Sequence, residues 1–172
     1  MYIFKTYIYL IELKCYNESV NWVFVRRRNA DERGKMVKTI IKDPLLLKRK
    51  AAAAEKTDSQ IGEDLLETLF ANRERCAGMA ANMIGVNKCI ICFAEENGTL
   101  TLMYNPKIVS AFGEYEAEEG CLSLSGARKA RRFKFITVRF FDRLWNEKTE
   151  NYSGFTAEVI QHEINHLEGI LI

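Results

Sequence analysis

The sequence predicts an α+β fold, with antiparallel β-sheets packed around a C-terminal metal-binding helix. Three observations predict it. Four strand-like runs, CIICFA, TLMYNP, KIVSAFGEYEA and FKFITVRFFD, follow one another without the regular helix alternation of a parallel sheet. The last run before the C-terminus, GFTAEVIQHEINHLEG, has helical apolar spacing. It also carries both histidines of the chain, His162 and His166, with Glu163 between them.

The elements follow in chain order. Residues 1–35 read as an N-terminal extension. MYIFKTYIYLIELKCY is apolar and aromatic but is interrupted by Lys5, Glu12 and Lys14. It lacks the basic start and small-residue cleavage site of a signal peptide. The character changes at Met36, and the expectation is a mis-assigned start, with the domain at 36–172; the alternative is a genuine appended hairpin. Ala51 to Ala54 and EKTD read as a polar, flexible connection. SQIGEDLLETLFANRER reads as a helix capped by Asp58 or Ser59, with Ile61, Leu65, Leu66, Leu69 and Phe70 on one face. Val138, Phe140 and their neighbours alternate with polar residues, as a half-buried strand requires. The final helix has Ser153 or Thr156 as N-cap and Gly169 as its stop. Its wide spread of apolar residues predicts a helix largely surrounded by protein.

The two histidines are four residues apart, so a helix places both on one face, one turn above the other. Both imidazoles can then address one metal ion, and Glu163 can reach a water bound to it. H-E-x-x-H therefore supplies two ligands and a general base. A third protein ligand is required. The downstream position where the long protease motif has histidine is Ile172, so the third ligand lies upstream. Of Cys15, Cys76, Cys89, Cys92 and Cys121, the best placed is Cys121, in EEGCLSLSG. Gly120 lets the backbone approach an ion, and a thiolate with two imidazoles makes a tetrahedral site with one open position. Cys89 and Cys92 form C-x-x-C on a strand, where side chains three apart face opposite ways. Both read as core cysteines.

Composition narrows the class. At 172 residues and 48% hydrophobic, the chain is one domain with a real core. A net charge of +2 does not indicate nucleic-acid binding. The basic clusters at Arg26 to Arg28 and Arg128 to Lys134 read as solvated faces, and the second flanks Cys121. An odd cysteine count without framework spacing indicates a reducing cytosol. No apolar run reaches the roughly 18 residues of a membrane span.

GMAANMIG (Gly78 to Gly85), EGCLS (Glu119 to Ser123) and QHEINH (Gln161 to His166) resemble, in order, the three signature motifs of peptide deformylase. The resemblance spans roughly Met36 to Ile172. It implies a bacterial, cytoplasmic hydrolase of protein biosynthesis that removes formyl from the N-terminal formyl-methionine of nascent peptides. It implies one divalent metal ion, ferrous iron first and zinc or nickel as alternatives, held by Cys121, His162 and His166. Glu163 is then the acid/base. The Leu122 N–H is then an oxyanion donor, and Gly78, Met83 and Arg128 line the substrate. The partners it implies are the formylated nascent peptide and transient ribosome contact, without direct nucleic-acid binding or a membrane.

Some positions depart from the family pattern. Cys76 stands where the family has the first glycine of G-x-G-L-A-A-x-Q-I-G, Met79 where it has leucine, and Met83 where it has glutamine. That glutamine donates to the formyl oxygen, and methionine has no donor. Asn82 is the neighbouring residue that can supply one. Asn165 replaces the usual aspartate, and Ser125 the usual proline. The chain also ends three residues past Gly169, before the further C-terminal segment of many members. A methionine side chain needs an apolar pocket, for which Leu122, Phe155 and Val159 are candidates beside an unusual Glu158. Three readings compete: an active deformylase, a deformylase-fold protein that binds metal or peptide with weak or no activity, and a small H-E-x-x-H metalloprotease. Cys121 discriminates against the third.

Overall fold

The computed structural model describes residues 36–172. The reading of residues 1–35 as an extension lies outside them. Three helices, α1 (Pro44–Leu47), α2 (Ser59–Asn72) and α3 (Gly154–Leu167), pack on one antiparallel sheet. Its strands are β1 (Gly78–Ala80), β2 (Ile90–Ala94), β3 (Leu100–Gly120), β4 (Ala127–Phe141) and β5 (Glu147–Ser153), in spatial order β1-β2-β3-β4-β5. The α+β class agrees with the sequence reading, with a single sheet. Among the described residues no helix is long and apolar enough to cross a membrane.

The inner strands are buried on both faces, and their alternation divides the core in two. Ile90, Cys92, Leu102 and Tyr104 join Leu65 and Leu69 of α2. Ile91, Phe93 and Met103 join Ala157, Val159 and Ile160 of α3. Burial on both faces explains why CIICFA reads as a continuous apolar run. Cys92 belongs to the first layer and Cys89 packs against the second, as their spacing requires. Cys76, Cys89, Cys92 and Cys121 are all free thiols.

Several expectations are corrected. TLMYNP and KIVSAFGEYEA form one strand, β3, because Asn105–Pro106 is absorbed as an irregularity rather than a break. Asn105 takes φ 51°, and its side chain bonds both the N–H and the C=O of Ala54 at 2.7 and 2.9 Å. Ala51 to Ala54 is therefore no flexible connection. Ala51 donates to Leu167 O at 2.7 Å, and Ala52 bridges Lys88. Phe70 leaves the predicted face of α2. It is 55% exposed under the Arg73 guanidinium, and Gly62 and Thr68 take the buried stripe with Leu65 and Leu69. Gly62 is needed there because a Cβ would lie 2.3 Å from the Tyr104 hydroxyl. Two strands carry no sequence signal: β1 is three residues long, and β5 is EKTENYS on an edge.

Helix α3 follows its prediction closely. Ser153 is the N-cap residue, and Gly169 leaves the helix at φ 73°. A Cβ on Gly169 would lie 2.2 Å from Lys48 O, so this end of α3 docks against the chain after α1. Gln161 clamps the middle of α3 to β4. Its Oε1 accepts from Phe133 N–H, and its Nε2 donates to Phe133 O, both at 2.9 Å.

The α2 packing gives a direct check. Leu69→Ala is expected to cost about 2–5 kcal/mol of unfolding free energy, as for other buried leucines. Phe70→Ala is expected to cost less than about 1 kcal/mol. Denaturant titration of the two variants measures the difference, and equal losses would restore the predicted face.

Candidate metal centre and active site

The loop Cys121–Gly126 joins β3 to β4 and follows β3 directly, which sets Cys121 at the end of the longest strand. Helix α3 presents its two histidines to that loop. Cys121 Sγ lies 3.2 Å from His166 Nε2. The ligand-type atoms of Cys121, His162 and His166 all lie within 4.8 Å of one another. His162 and His166 are buried, and Cys121 is half-buried.

Each neighbour has an assignable physical effect. The Glu119 carboxylate lies 2.8 Å from His162 Nδ1, which leaves the other ring nitrogen for the centre. Burial lowers the His162 pKa, but hydrogen bonds from Cys121 and Glu119 outweigh it and raise the value to about 10. Burial, then the His162 charge, lowers His166 to about 3. Glu163 is buried, and burial raises its carboxyl to about 7, against the lowering effect of His162. A carboxyl poised near neutrality suits proton transfer in both directions.

The donor set fits a divalent ion, since thiolate and imidazole together suit iron, zinc and nickel. Several buried polar atoms around the centre lack partners. Glu163 Oε2, His166 Nδ1, Ser123 Oγ and Asn82 Oδ1 have no hydrogen-bond partner among the described residues. Glu163 Oε2 is thus available to a water or substrate proton.

The remaining predicted residues fall as follows. Gly78 lies in β1 against α3, where a Cβ would sit 2.5 Å from Val159 Cγ1 and 2.9 Å from Glu163 Oε1. Its lack of a side chain lets the strand approach the acid/base candidate. The Leu122 N–H makes no hydrogen bond among the described residues. Met83 is 1% exposed in the α2-side core, and the Ala80 N–H donates to its Sδ at 3.5 Å. Asn82 cannot supply a free donor in its place, because its Nδ2 is committed to Leu47 O and His166 O. Arg128 is exposed and pairs in register with Glu119. Val159 is buried, Leu122 half-buried and Phe155 53% exposed. Glu158 is held by the Tyr115 hydroxyl at 2.5 Å.

Sequence reasoning missed the supporting shell. Arg132, in a basic cluster whose sequence reads as a solvated face, is instead 4% exposed. Its Nε and Nη2 grip both Glu119 oxygens at 2.6 and 2.7 Å, and its Nη1 donates to Asn165 Oδ1 at 2.7 Å. The signal was the strand period: Ala130, Arg132 and the buried Ile136 share one face, while Arg131 lies on the other. Asn165 keeps a hydrogen-bonding role despite its neutral side chain.

Known proteins share this architecture. Residues 37–172 match the family model described as polypeptide deformylase. A peptide deformylase of Clostridium beijerinckii is 48% identical over 137 residues, covering 80% of this chain and all of the relative. Peptide deformylase 2 of Clostridium acetobutylicum is 38% identical over 73% of this chain and 85% of its own. The crystal structure of the Thermus thermophilus peptide deformylase superposes with a TM-score of 0.70 at 33% identity, covering 78% of this chain and 83% of that one. That of the Legionella pneumophila enzyme gives 0.72 at 32%, over 79% and 83%. By sequence and by fold, this chain belongs to the polypeptide deformylase family.

Proposed function

We propose that this protein is a metal-dependent deformylase that hydrolyses the formyl amide at the N-terminus of formyl-methionyl peptides, with Cys121, His162 and His166 as ligands. The observation that carries the reading is the convergence of one thiol and two imidazoles within 4.8 Å beside a buried, unpartnered carboxylate oxygen. The ion is ferrous iron in this reading, with zinc or nickel as substitutes. The substrate is a nascent peptide, which sets the reaction in the cytoplasm with transient ribosome contact.

When bound, the ion supplies Lewis-acid chemistry, acidifying water and polarising a carbonyl. The chain's own residues do the rest. Glu163 takes a proton from the attacking water as its oxygen bonds to the formyl carbon. The Leu122 N–H donates to the oxyanion of the tetrahedral adduct. The C–N bond then breaks, Glu163 delivers its proton to the leaving amine, and formate is released. Glu119 and Arg132 hold His162 in its tautomer throughout. Arg128, exposed beside the Cys121 loop, meets the peptide backbone or its carboxylate. Leu122, Phe155 and Val159 take the methionine side chain.

Formate release from a formyl-Met peptide, under anaerobic ferrous conditions, tests the reading. Glu163→Gln is expected to bind metal nearly as well as the parent and to lose about 10²- to 10⁴-fold in turnover. Equal turnover removes Glu163 from the chemistry.

Cys121→Ala is expected to lose stoichiometric metal, measured by elemental analysis after dialysis. Retention of one ion per chain refutes the thiolate ligand. The ferrous parent is also expected to lose activity in air, because thiolate character favours oxidation.

Met83 sets the rate. One oxyanion donor is typically worth about 10²- to 10³-fold, so deformylation is slow relative to members with glutamine. Met83→Gln is expected to raise kcat/KM while lowering stability, because it buries an amide in the apolar layer. A folded, metal-loaded variant with unchanged kcat/KM would show that no donor is missing.

A further inference from the structure

The two imidazoles of the proposed centre are supported unequally. His162 passes Nδ1 to the Glu119 carboxylate at 2.8 Å. His166 turns Nε2 to Cys121, so its Nδ1 carries the proton when Nε2 ligates. That Nδ1 is buried without a partner. Metal-ligating histidines almost always give their second N–H to a carboxylate, a carbonyl or a water.

Asn82 already binds this residue. Its Nδ2 donates to the His166 backbone oxygen at 2.8 Å and to Leu47 O at 3.2 Å. Both amide hydrogens are thereby used, and Oδ1 is left as a buried acceptor without a partner on a side chain 4% exposed. The 3₁₀ turn Ala81–Ile84 carries Asn82 and is closed by Gly85 at φ 82°. The other unpartnered acceptors are otherwise placed. Glu163 Oε2 is the oxygen that takes the water proton in the proposed chemistry, and Ser123 sits beside the thiol, donating its N–H to Cys121 Sγ at 3.4 Å.

We propose that Asn82 is a positioning residue for His166, holding its backbone directly and receiving its Nδ1–H at Oδ1 through one ordered water. The proposal rests on His166 being a metal ligand. Asn82 then does for His166 what Glu119 does for His162. A buried water between two such groups is ordinary when each would otherwise be unsatisfied.

The test uses the full chain loaded anaerobically with Co²⁺, whose d–d spectrum reports ligand geometry. Asn82→Ala is expected to weaken Co²⁺ binding about 10- to 100-fold and to shift the spectrum. Asn105→Ala is the control. It removes a comparable amide clamp, on Ala54, that bonds none of the site residues. It is expected to lower the thermal midpoint while leaving Co²⁺ affinity and spectrum unchanged. The proposal is overturned if Asn82→Ala matches the parent in both, or if Asn105→Ala weakens binding equally. Should Asn82→Ala not fold, the zinc-loaded parent decides by ¹⁵N-histidine NMR. A slowly exchanging His166 Nδ1–H supports the proposal, and one exchanging as freely as an exposed imidazole overturns it. A parent that binds no Co²⁺ through sulfur instead refutes the ligand assignment itself.

Discussion

The site depends on one buried carboxylate. Glu119 closes β3, accepts two hydrogen bonds from Arg132 of β4 and meets His162 of α3. Two adjacent strands and a helix 43 residues further on are joined through two oxygen atoms. Burial raises the Glu119 pKa, but hydrogen bonds from His162 and Arg132 outweigh it, and the group stays below its ordinary value. The pair is no surface ornament, because the Glu119 and Arg132 side chains are 6% and 5% exposed. Removing one partner of such a pair typically costs about 3–5 kcal/mol, since the other charge is left buried and alone. The carboxylate thus fixes both the fold and the orientation of one proposed ligand.

Rigid elements supply the remaining positions. The long β3–β4 pairing carries Cys121 to the place where α3 turns its histidines. Helix α3 is held by Gln161 at its middle, by Gly78 allowing β1 close to Glu163, and by Asn82 near its C-terminal end. Proteins place reacting groups on such elements because a loose site loses rate steeply. The thiol alone sits on a loop, one residue beyond the strand end, and the Ser123 N–H steadies its sulfur.

The sequence disclosed the fold class, α3 with both its ends, α2 as an element and the inner strands, because each has a strong period or a stop signal. It singled out Cys121, His162 and His166 because metal chemistry restricts the residue types, and the structure brings these three side chains within 4.8 Å of one another. It did not disclose β1 and β5, where short length and an all-polar edge leave no period to detect. Arg132 and Phe70 were assigned the wrong environments by the same reasoning. A charge in a basic run reads as solvated, and an aromatic at helical spacing reads as core, until tertiary packing decides otherwise. Ala51 to Ala54 looked flexible because the Asn105 clamp on it lies 51 residues away.

The proposed centre has one sulfur and two imidazole ligands. X-ray absorption of the zinc-loaded full chain measures it most directly. The expected spectrum shows one sulfur at about 2.3 Å, two imidazole nitrogens at about 2.0–2.1 Å and one further light atom around the zinc. A first shell of nitrogen and oxygen only, without sulfur, would contradict it.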